Sequence, residues 1–376
     1  MPQRNYIATS TCLPIKGAFR SVIMDLGRNT YEYVPNSVVD FLNMVSLKSV
    51  NEIYNDTPSE SKEIISEYIE YCIDKEYILE IPQEIDKKHF PKLDLTFLTP
   101  NIITNFCVEI NNHSNFDFKQ MALILETTKC YNIQLLFKEK YNLNLIDGHL
   151  DEISKIGLRS IEIILEYDAS FDYNNLIGKH KNISFIFIYS APKTELIKQH
   201  YYGVQQIFSS TKNYSSALNR SIEEFNVNIT LYTEAQKHNT YFNRKLHIGV
   251  NGEIKNAPES IEVFGNIDTL NNQNELLNII NTKEFQKYWY VHKDLIDVCK
   301  HCEYRYMCID NRLPIKRNEK EWYMETECNF NPYIAKWKTE QGYKTLAACG
   351  VENNASDFKV NRKKLNAINK ELWGDD

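Results

Sequence analysis

The chain has 376 residues, with 43 Lys and Arg against 50 Asp and Glu, for a formal net charge of -7. This length predicts two or three domains, each able to bury its own core. The negative charge opposes attraction to phosphates, so we expect no nucleic-acid partner. No secretory signal and no membrane-length apolar run is evident. We therefore expect a cytoplasmic protein with reduced thiols and no membrane partner.

The N-terminal stretch predicts a small mixed domain. Val22, Met24 and Leu26 alternate with their neighbours before a turn at 27–29, which is typical of a β-hairpin. Two helical patterns follow, one after Pro35 and one in SESKEIISEYIEYCIDKEY, and YILEIP then returns as a strand. We assign residues 1–85 to a winged-helix-like domain.

The pattern changes at about residue 100 to strands that alternate with helices. Apolar strands appear in ITNFCVEI, NIQLLFK, SIEIILEY, ISFIFIYSAP, VQQIFSS and NVNITLYTE, with helices between most of them. Strands of this kind predict an α/β fold with a parallel sheet that helices cover on both faces. Because a closed eight-stranded barrel needs about 250 residues, we expect 100–235 to form a partial (β/α) barrel.

The C-terminal part begins with a hairpin that turns at Asn251-Gly252, followed by a long helical stretch, NELLNIINTKEFQKYWYVHKDLIDVC. A cysteine-rich region ends near residue 345. The polar, Lys-rich tail, residues 346–376, is expected to form a surface helix or to be partly disordered.

Four of the nine cysteines fall within thirty residues. CKHCEYRYMC contains Cys299, Cys302 and Cys308, and Cys328 follows in ETECNFNP. A disulfide framework does not suit such a chain, whereas four thiolates can hold one zinc ion or one 4Fe-4S cluster. Zinc sites more often use two Cys-x2-Cys pairs, and the second pair is missing here.

This cysteine region resembles the C-terminal half of a SPASM domain, the auxiliary-cluster module of radical-SAM enzymes that modify peptides. The resemblance implies that the four cysteines just named hold one 4Fe-4S cluster as the cofactor. One Zn2+ ion at the same cysteines is the alternative. The family's second cluster would need thiols where this chain has Ala257 and Arg312, and residues 236–242 offer only His238. We therefore expect one cluster.

The segment 100–235 resembles a reduced radical-SAM core that lacks the Cys-x3-Cys-x2-Cys motif. The loop after its first strand reads NNHSNFDF, which has no thiol to hold a catalytic cluster. Classical radical chemistry is therefore not expected. We interpret Cys107 and Cys130 as buried core residues.

Three stretches of the chain together resemble the SPASM-domain peptide maturase of grasp-with-SPASM systems. They are CLPIKGAFRSVIMDL, GEIKNAPESIEVFGNI and KDLIDVCKHCEYRYMC. The resemblance implies two partners, a ribosomally made precursor peptide and an ATP-grasp ligase. The N-terminal domain is similar to leader-recognition elements, which add the leader segment as a strand to a sheet edge. The candidate edges are 21–26 and 31–34, and a purely structural role for the domain is the alternative.

We thus expect a cluster-bearing, precursor-binding accessory maturase of a ribosomally synthesised and post-translationally modified peptide. Two alternatives stay open: a non-catalytic, zinc-stabilised peptide-binding adaptor and a divergent SAM-dependent peptide-modifying enzyme. No phosphate-binding glycine loop is present. We interpret His149 and His247 as surface or core residues and the acidic Asp147, Asp151 and Glu152 as part of a solvated helix. No general acid, base or nucleophile is assigned.

Overall fold

The computed structural model describes residues 5–374 except 83, 84, 86, 116, 200–203 and 215–224. The predicted domains 1–85 and 100–235 each include some of the residues outside this description. Among the described residues, no helix combines the length and the apolar character needed to cross a bilayer.

The N-terminal region contains a three-stranded antiparallel sheet and three helices. Its elements are β1 (Asn5–Ala8), β2 (Cys12–Lys16), β3 (Ser21–Asp25), β4 (Thr30–Val34), α1 (Asn36–Val45), α2 (Val50–Asp56), α3 (Lys62–Asp74) and β5 (Ile78–Ile81). The sheet order is β2-β3-β4, and β1 pairs separately with β5. The closing strand predicted from YILEIP is therefore present, but its partner is β1 rather than the hairpin.

The predicted hairpin is confirmed as the β3–β4 pair. Its turn is fixed by Asp25, whose carboxylate accepts hydrogen bonds from the backbone N–H groups of Gly27, at 2.9 Å, and Arg28, at 3.0 Å. Asn29 takes a left-handed conformation, with φ at 56°, which Asn tolerates better than most residues. Local turn chemistry thus sets the register of the two strands.

An eight-stranded, mostly parallel sheet forms the centre of a mixed α/β fold. Its strands are β6 (Asn105–Ile110), β7 (Asn132–Phe137), β8 (Ser160–Glu166), β9 (Ile183–Tyr189), β10 (Glu195–Gln199), β11 (Val204–Phe208), β12 (Lys245–Ile248) and β13 (Ile254–Lys255). The order is β10-β11-β9-β8-β7-β6-β12-β13, and only the two outermost pairs are antiparallel. The strand 195–199 is an element that the sequence analysis missed.

Three helices, α4 (Phe118–Thr128), α5 (Leu143–Ser154) and α6 (Tyr173–Lys179), follow β6, β7 and β8. Their buried side chains pack with alternate strand residues such as Val108, Leu135 and Ile163 in the largest apolar cluster. The intervening strand residues form a separate, smaller cluster, which includes Cys107 and Leu136. The expectation of helices on both faces is therefore wrong for α4, α5 and α6, which all pack on one face of the sheet.

The stretch NVNITLYTE is helical, and the strand predicted there is wrong. The helix α7 spans Ile229–Ala235, because the Asn228 side chain accepts a hydrogen bond from the Leu231 N–H at 2.8 Å and caps the first turn. The β-branched residues favour a strand locally, yet the cap and the burial of one helix face outweigh that preference.

The C-terminal part confirms the hairpin β12–β13 but shortens the predicted helix. The helix α8 covers only Gln273–Ile280, and turns and a 3-10 segment, Lys293–Leu295, carry the chain to the cysteines. Further short strands are β14 (Ile315–Lys316), β15 (Trp322–Tyr323), β16 (Phe330–Asn331), β17 (Lys336–Trp337), β18 (Val351–Asn353) and β19 (Phe358–Val360).

The tail forms a surface helix, α9 (Arg362–Trp373), which is one of the two forms expected for it. Leu365 and Ile368 on its buried face pack with Ile334, which lies before position 345, and with Cys349, which lies after it. The tail therefore shares an apolar cluster with the cysteine region.

The strand β3 is buried on both faces. Ile23 packs with the helices of the N-terminal region, whereas Val22 and Met24 pack with Tyr304 and Met307 of the cysteine region. One three-stranded sheet thus contributes to two cores, and the N-terminal region is packed directly on the cysteine region.

We expect Met24→Ala to lower the free energy of unfolding by about 2–5 kcal/mol, because Met24 is fully buried in the shared core. Met44→Ala is the matched control, because its side chain is 39% exposed, and its effect should stay within about 0.5 kcal/mol. Chemical denaturation of both variants measures the difference. Equal losses in the two variants would contradict the shared core.

Candidate metal centre

The four cysteines singled out from the sequence lie around a single cavity. Cys299, Cys302, Cys308 and Cys328 all line it, although the fourth comes from a separate segment of the chain. Aromatic rings complete the wall, among them Tyr304 and the side chains of Phe225, Phe330 and Trp337. All four cysteines are half-buried and free of disulfide bonds. The arrangement can present four thiolates to one centre.

The spacing of the sulfur atoms bears on whether they could hold a single zinc ion. Tetrahedral zinc with bonds of about 2.3 Å to sulfur would bring its four ligand atoms to about 3.8 Å from one another. Among the described residues, the one group of three or more potential metal ligands whose ligand atoms lie within 4.8 Å of one another contains no cysteine. The four sulfurs are therefore more widely spaced than a single zinc ion requires.

Burial disfavours free thiolates in this cavity. It raises the pKa of Cys308 to about 12 and that of Cys302 well above the ordinary thiol value. The pKa of Cys299 is also raised by burial, although the nearby Lys293 and Arg312 oppose the rise. Thiolates at these positions would therefore need a metal to stabilise them, and metal binding would release protons.

A buried cationic group borders the cysteines. Lys293, only 2% exposed, places its Nζ 3.1 Å from Oδ2 of Asp310. Arg312 donates to the same carboxylate, with Nη2 2.7 Å from Oδ2 and Nε 3.0 Å from Oδ1. Burial raises the pKa of Asp310, but the two cations outweigh it, so that the pKa lies well below its usual range. Two cations share one carboxylate, which leaves net positive charge beside the sulfurs.

Sequence reasoning missed this group. Lys293 and Asp310 occupy no recognisable motif, and Arg312 drew attention only as a position without a thiol. The one available signal was the density of charged residues around the cysteines, which is also typical of a solvated loop. Only the fold shows that Lys293 is buried and that its charge points toward the cavity.

The backbone entering the cysteine loop is held in an uncommon conformation. Val298, a β-branched residue, has φ at 67° immediately before Cys299. Such a residue with positive φ costs on the order of 1–3 kcal/mol and persists only where its surroundings fix it. The neighbouring Asp297 provides one such restraint, because it is buried and pairs with both Lys300 and Arg317. The loop is thus rigidly positioned on its N-terminal side.

The N-terminal region holds the same loop from the other side. The backbone N–H of Ala18 donates to the His301 carbonyl at 2.7 Å, and Arg305 donates to the Lys16 carbonyl at 2.8 Å. Arg20 pairs through Nε with Oε1 of Glu303 at 2.9 Å. The turn between β2 and β3 is therefore fastened to the residues around Cys302.

The positions that lack thiols for a second cluster have other roles. Ala257 is fully buried with Phe242 and Tyr288 in an apolar cluster, and Arg312 is committed to its carboxylate partner. His238 stacks at an angle on Phe97, with ring centroids 5.6 Å apart. Of these three residues, Arg312 lines the cysteine cavity as a cation, whereas Ala257 and His238 do not line it.

The remaining candidate residues lie away from this cavity. Cys107 and Cys130 are both buried, 2% and 0% exposed, as predicted for core residues. His149 stacks on Phe118 at 3.9 Å between ring centroids. His247 is fully buried on β12, where its Nε2 lies 3.6 Å from Oε2 of Glu109.

The acidic residues of α5 form an ion-pair cluster rather than a plain solvated face. Lys179 Nζ lies 2.6 Å from Asp147 and 2.9 Å from Asp151, and His180 Nε2 lies 2.7 Å from Asp147. Glu152 pairs with Lys155 at 2.8 Å. The Lys179 ammonium already pairs with both Asp147 and Asp151, at the place where a cation would bind.

No family model matches this chain, and no curated protein matches it. Three solved structures of SuiB from Streptococcus suis align with it. The form bound to S-adenosylmethionine is 11% identical, covering 81% of this chain and 94% of that chain, with a TM-score of 0.31. The form bound to precursor peptide SuiA is 10% identical, with coverage of 81% and 94% and a TM-score of 0.30. The third is 10% identical, with coverage of 80% and 94% and a TM-score of 0.31.

We expect Arg20→Ala to lower the free energy of unfolding by about 3–5 kcal/mol, because it leaves the fully buried Glu303 carboxylate without its cation. Adding Glu303→Gln to that variant should recover most of the loss. Arg159→Ala is the control, because Arg159 is exposed, and it should change stability by less than about 0.5 kcal/mol. Additive losses from Arg20→Ala and Glu303→Gln in denaturant titrations would show that the two side chains do not act as a pair.

Proposed function

We propose that this protein is an accessory maturase for a ribosomally made peptide and that it carries one 4Fe-4S cluster on Cys299, Cys302, Cys308 and Cys328. The observation that carries the proposal is the convergence of these four thiols on one cavity beside a net cationic group. A thiolate-ligated cluster is negatively charged, and the charge of Lys293 and Arg312 would offset it.

The cluster would supply electron transfer or structural support when bound, since four cysteines would satisfy its four irons. The chain's own residues would do the rest. The aromatic wall of the cavity would exclude water, and the loop restraints at Val298 and Asp297 would keep the sulfurs in place. The region 240–345 would thus act as the cluster-binding domain.

The N-terminal region, 1–85, would bind the precursor's leader segment. Of the two edges considered from the sequence, 21–26 is wrong, because β3 pairs with β2 on one side and with β4 on the other. Among the described strands β4 pairs only with β3, so its outer edge is open to an added strand. Backbone hydrogen bonds along 31–34 would supply affinity for the leader, and side-chain pockets would supply specificity for its sequence.

Resemblance to the grasp-with-SPASM maturases supports an ATP-grasp ligase as the second partner. Two findings favour joint action of the peptide site and the cluster site. Met24 and Tyr304 lie in one apolar cluster, and the hydroxyls of Tyr33 on β4 and Tyr304 beside the cavity lie 2.6 Å apart. A peptide bound along β4 would therefore lie close to the loop that carries the cysteines.

Protein prepared without oxygen should be brown and contain about four irons and about four sulfides per chain. Cys302→Ala should lose most of both. Cys130→Ala, which makes the same change at a buried cysteine of the sheet core, should keep them. Metal and sulfide analysis of the three proteins is the measurement.

A colourless protein with about one zinc per chain would refute the cluster and support the zinc-stabilised adaptor. Formation of 5′-deoxyadenosine from S-adenosylmethionine under reducing conditions, if Cys302→Ala abolishes it, would instead support the peptide-modifying enzyme.

A further inference from the structure

A groove of about 520 Å³ lies between the open strand β4 and the turn that joins α3 to β5. This volume is within the range of ligand-binding clefts. Both sides of the groove carry charged side chains. Its lining consists of Ile23, Asp25, Arg28, Thr30, Tyr31, Glu32 and residues 74–77.

The groove is acidic, since four carboxylates and two cations line it. Lys75 pairs with Glu32 at 2.8 Å, and Arg28 pairs with Asp25 at 2.7 Å and also with Glu76. Asp74, the last residue of α3, forms no ion pair with any residue in the described part of the chain. The two cations are thus already engaged, and four carboxylates against two cations leave the groove with an excess of two negative charges.

The geometry of strand addition would aim the peptide's side chains at these carboxylates. Glu32 on β4 is the register partner of Ile23, which packs toward the N-terminal helices, so that face of β4 is directed to α3. Successive side chains of a strand point to opposite faces. Every second side chain of a strand added beside β4 would therefore face the α3–β5 turn, with Asp74 and Glu76.

We propose that this groove selects an extended peptide segment that carries lysine or arginine at alternate positions and discriminates against acidic segments. The inference rests on the proposed function, because it takes the leader to bind along β4, and it adds the chemical class of the leader. The negative net charge of the whole chain would attract any basic peptide weakly. Such general attraction would not depend on Asp74 and Glu76, which are the residues where we place the selection.

The test uses two fluorescein-labelled peptides of about ten residues, identical in a Val/Thr frame, with Lys at alternate positions in one and Glu in the other. Fluorescence anisotropy with the full-length protein at low salt should show about tenfold tighter binding of the Lys peptide. The preference should shrink strongly in about 1 M salt, because the ions screen exposed charges.

Asp74→Lys should lower the Lys-over-Glu preference by about threefold or more. The fold should tolerate this change, because a cation at a helix C-terminus is favourable. Glu63→Lys is the matched control: it changes the net charge equally and lies in the first turn of the same helix, about 16 Å away. It should leave the preference within about twofold of the wild-type value.

Equal loss of preference in Asp74→Lys and Glu63→Lys would overturn the inference, because general charge attraction would then explain the binding. Equal affinity for the Lys and Glu peptides would also overturn it, while strand recognition along β4 would stand. Failure of both peptides to bind would overturn the inference and also remove the leader-binding part of the proposed function.

Discussion

Buried charge beside the cysteine cavity is the constraint on which the account depends. Lys293 and Arg312 share the single carboxylate of Asp310, so one positive charge lacks a protein counterion within this group. An uncompensated buried charge is expensive. Four neutral thiols would not offset it, whereas thiolates bound to a metal centre would. The charge distribution would therefore favour the occupant that we propose, a negatively charged, thiolate-ligated centre.

The second constraint is mechanical. The sheet β2-β3-β4 packs against the N-terminal helices on one face and against the cysteine region on the other. The N-terminal region and the cysteine region therefore share the core on the second face. Arg20 reaches across this interface to the buried Glu303. A strand added to β4 would lengthen the same sheet. Order in the N-terminal region and order around the cysteines should therefore depend on each other through this shared packing.

Local patterns predicted much of the fold. The hairpin at 22–34, the strands of the central sheet and the helices after them follow from apolar periodicity, turn residues and helix caps. Prediction failed where tertiary context decides. The helix capped by Asn228 is rich in β-branched residues, which favour a strand locally. The strand β5 pairs with β1, which is distant in the sequence, and the predicted long helix ends at α8 and continues as turns. Cysteine spacing singled out four thiols that line one cavity. It could not reveal Lys293, because only the folded chain shows its burial.

The most direct test of the central claim is an anomalous-scattering map at the iron edge, from crystals of the full-length protein grown without oxygen. The account predicts one compact group of iron peaks inside the cavity, with Cys299, Cys302, Cys308 and Cys328 each at about 2.3 Å from an iron, a typical metal–thiolate bond length. A single zinc peak there, or iron bound elsewhere with the four sulfurs unligated, would contradict it.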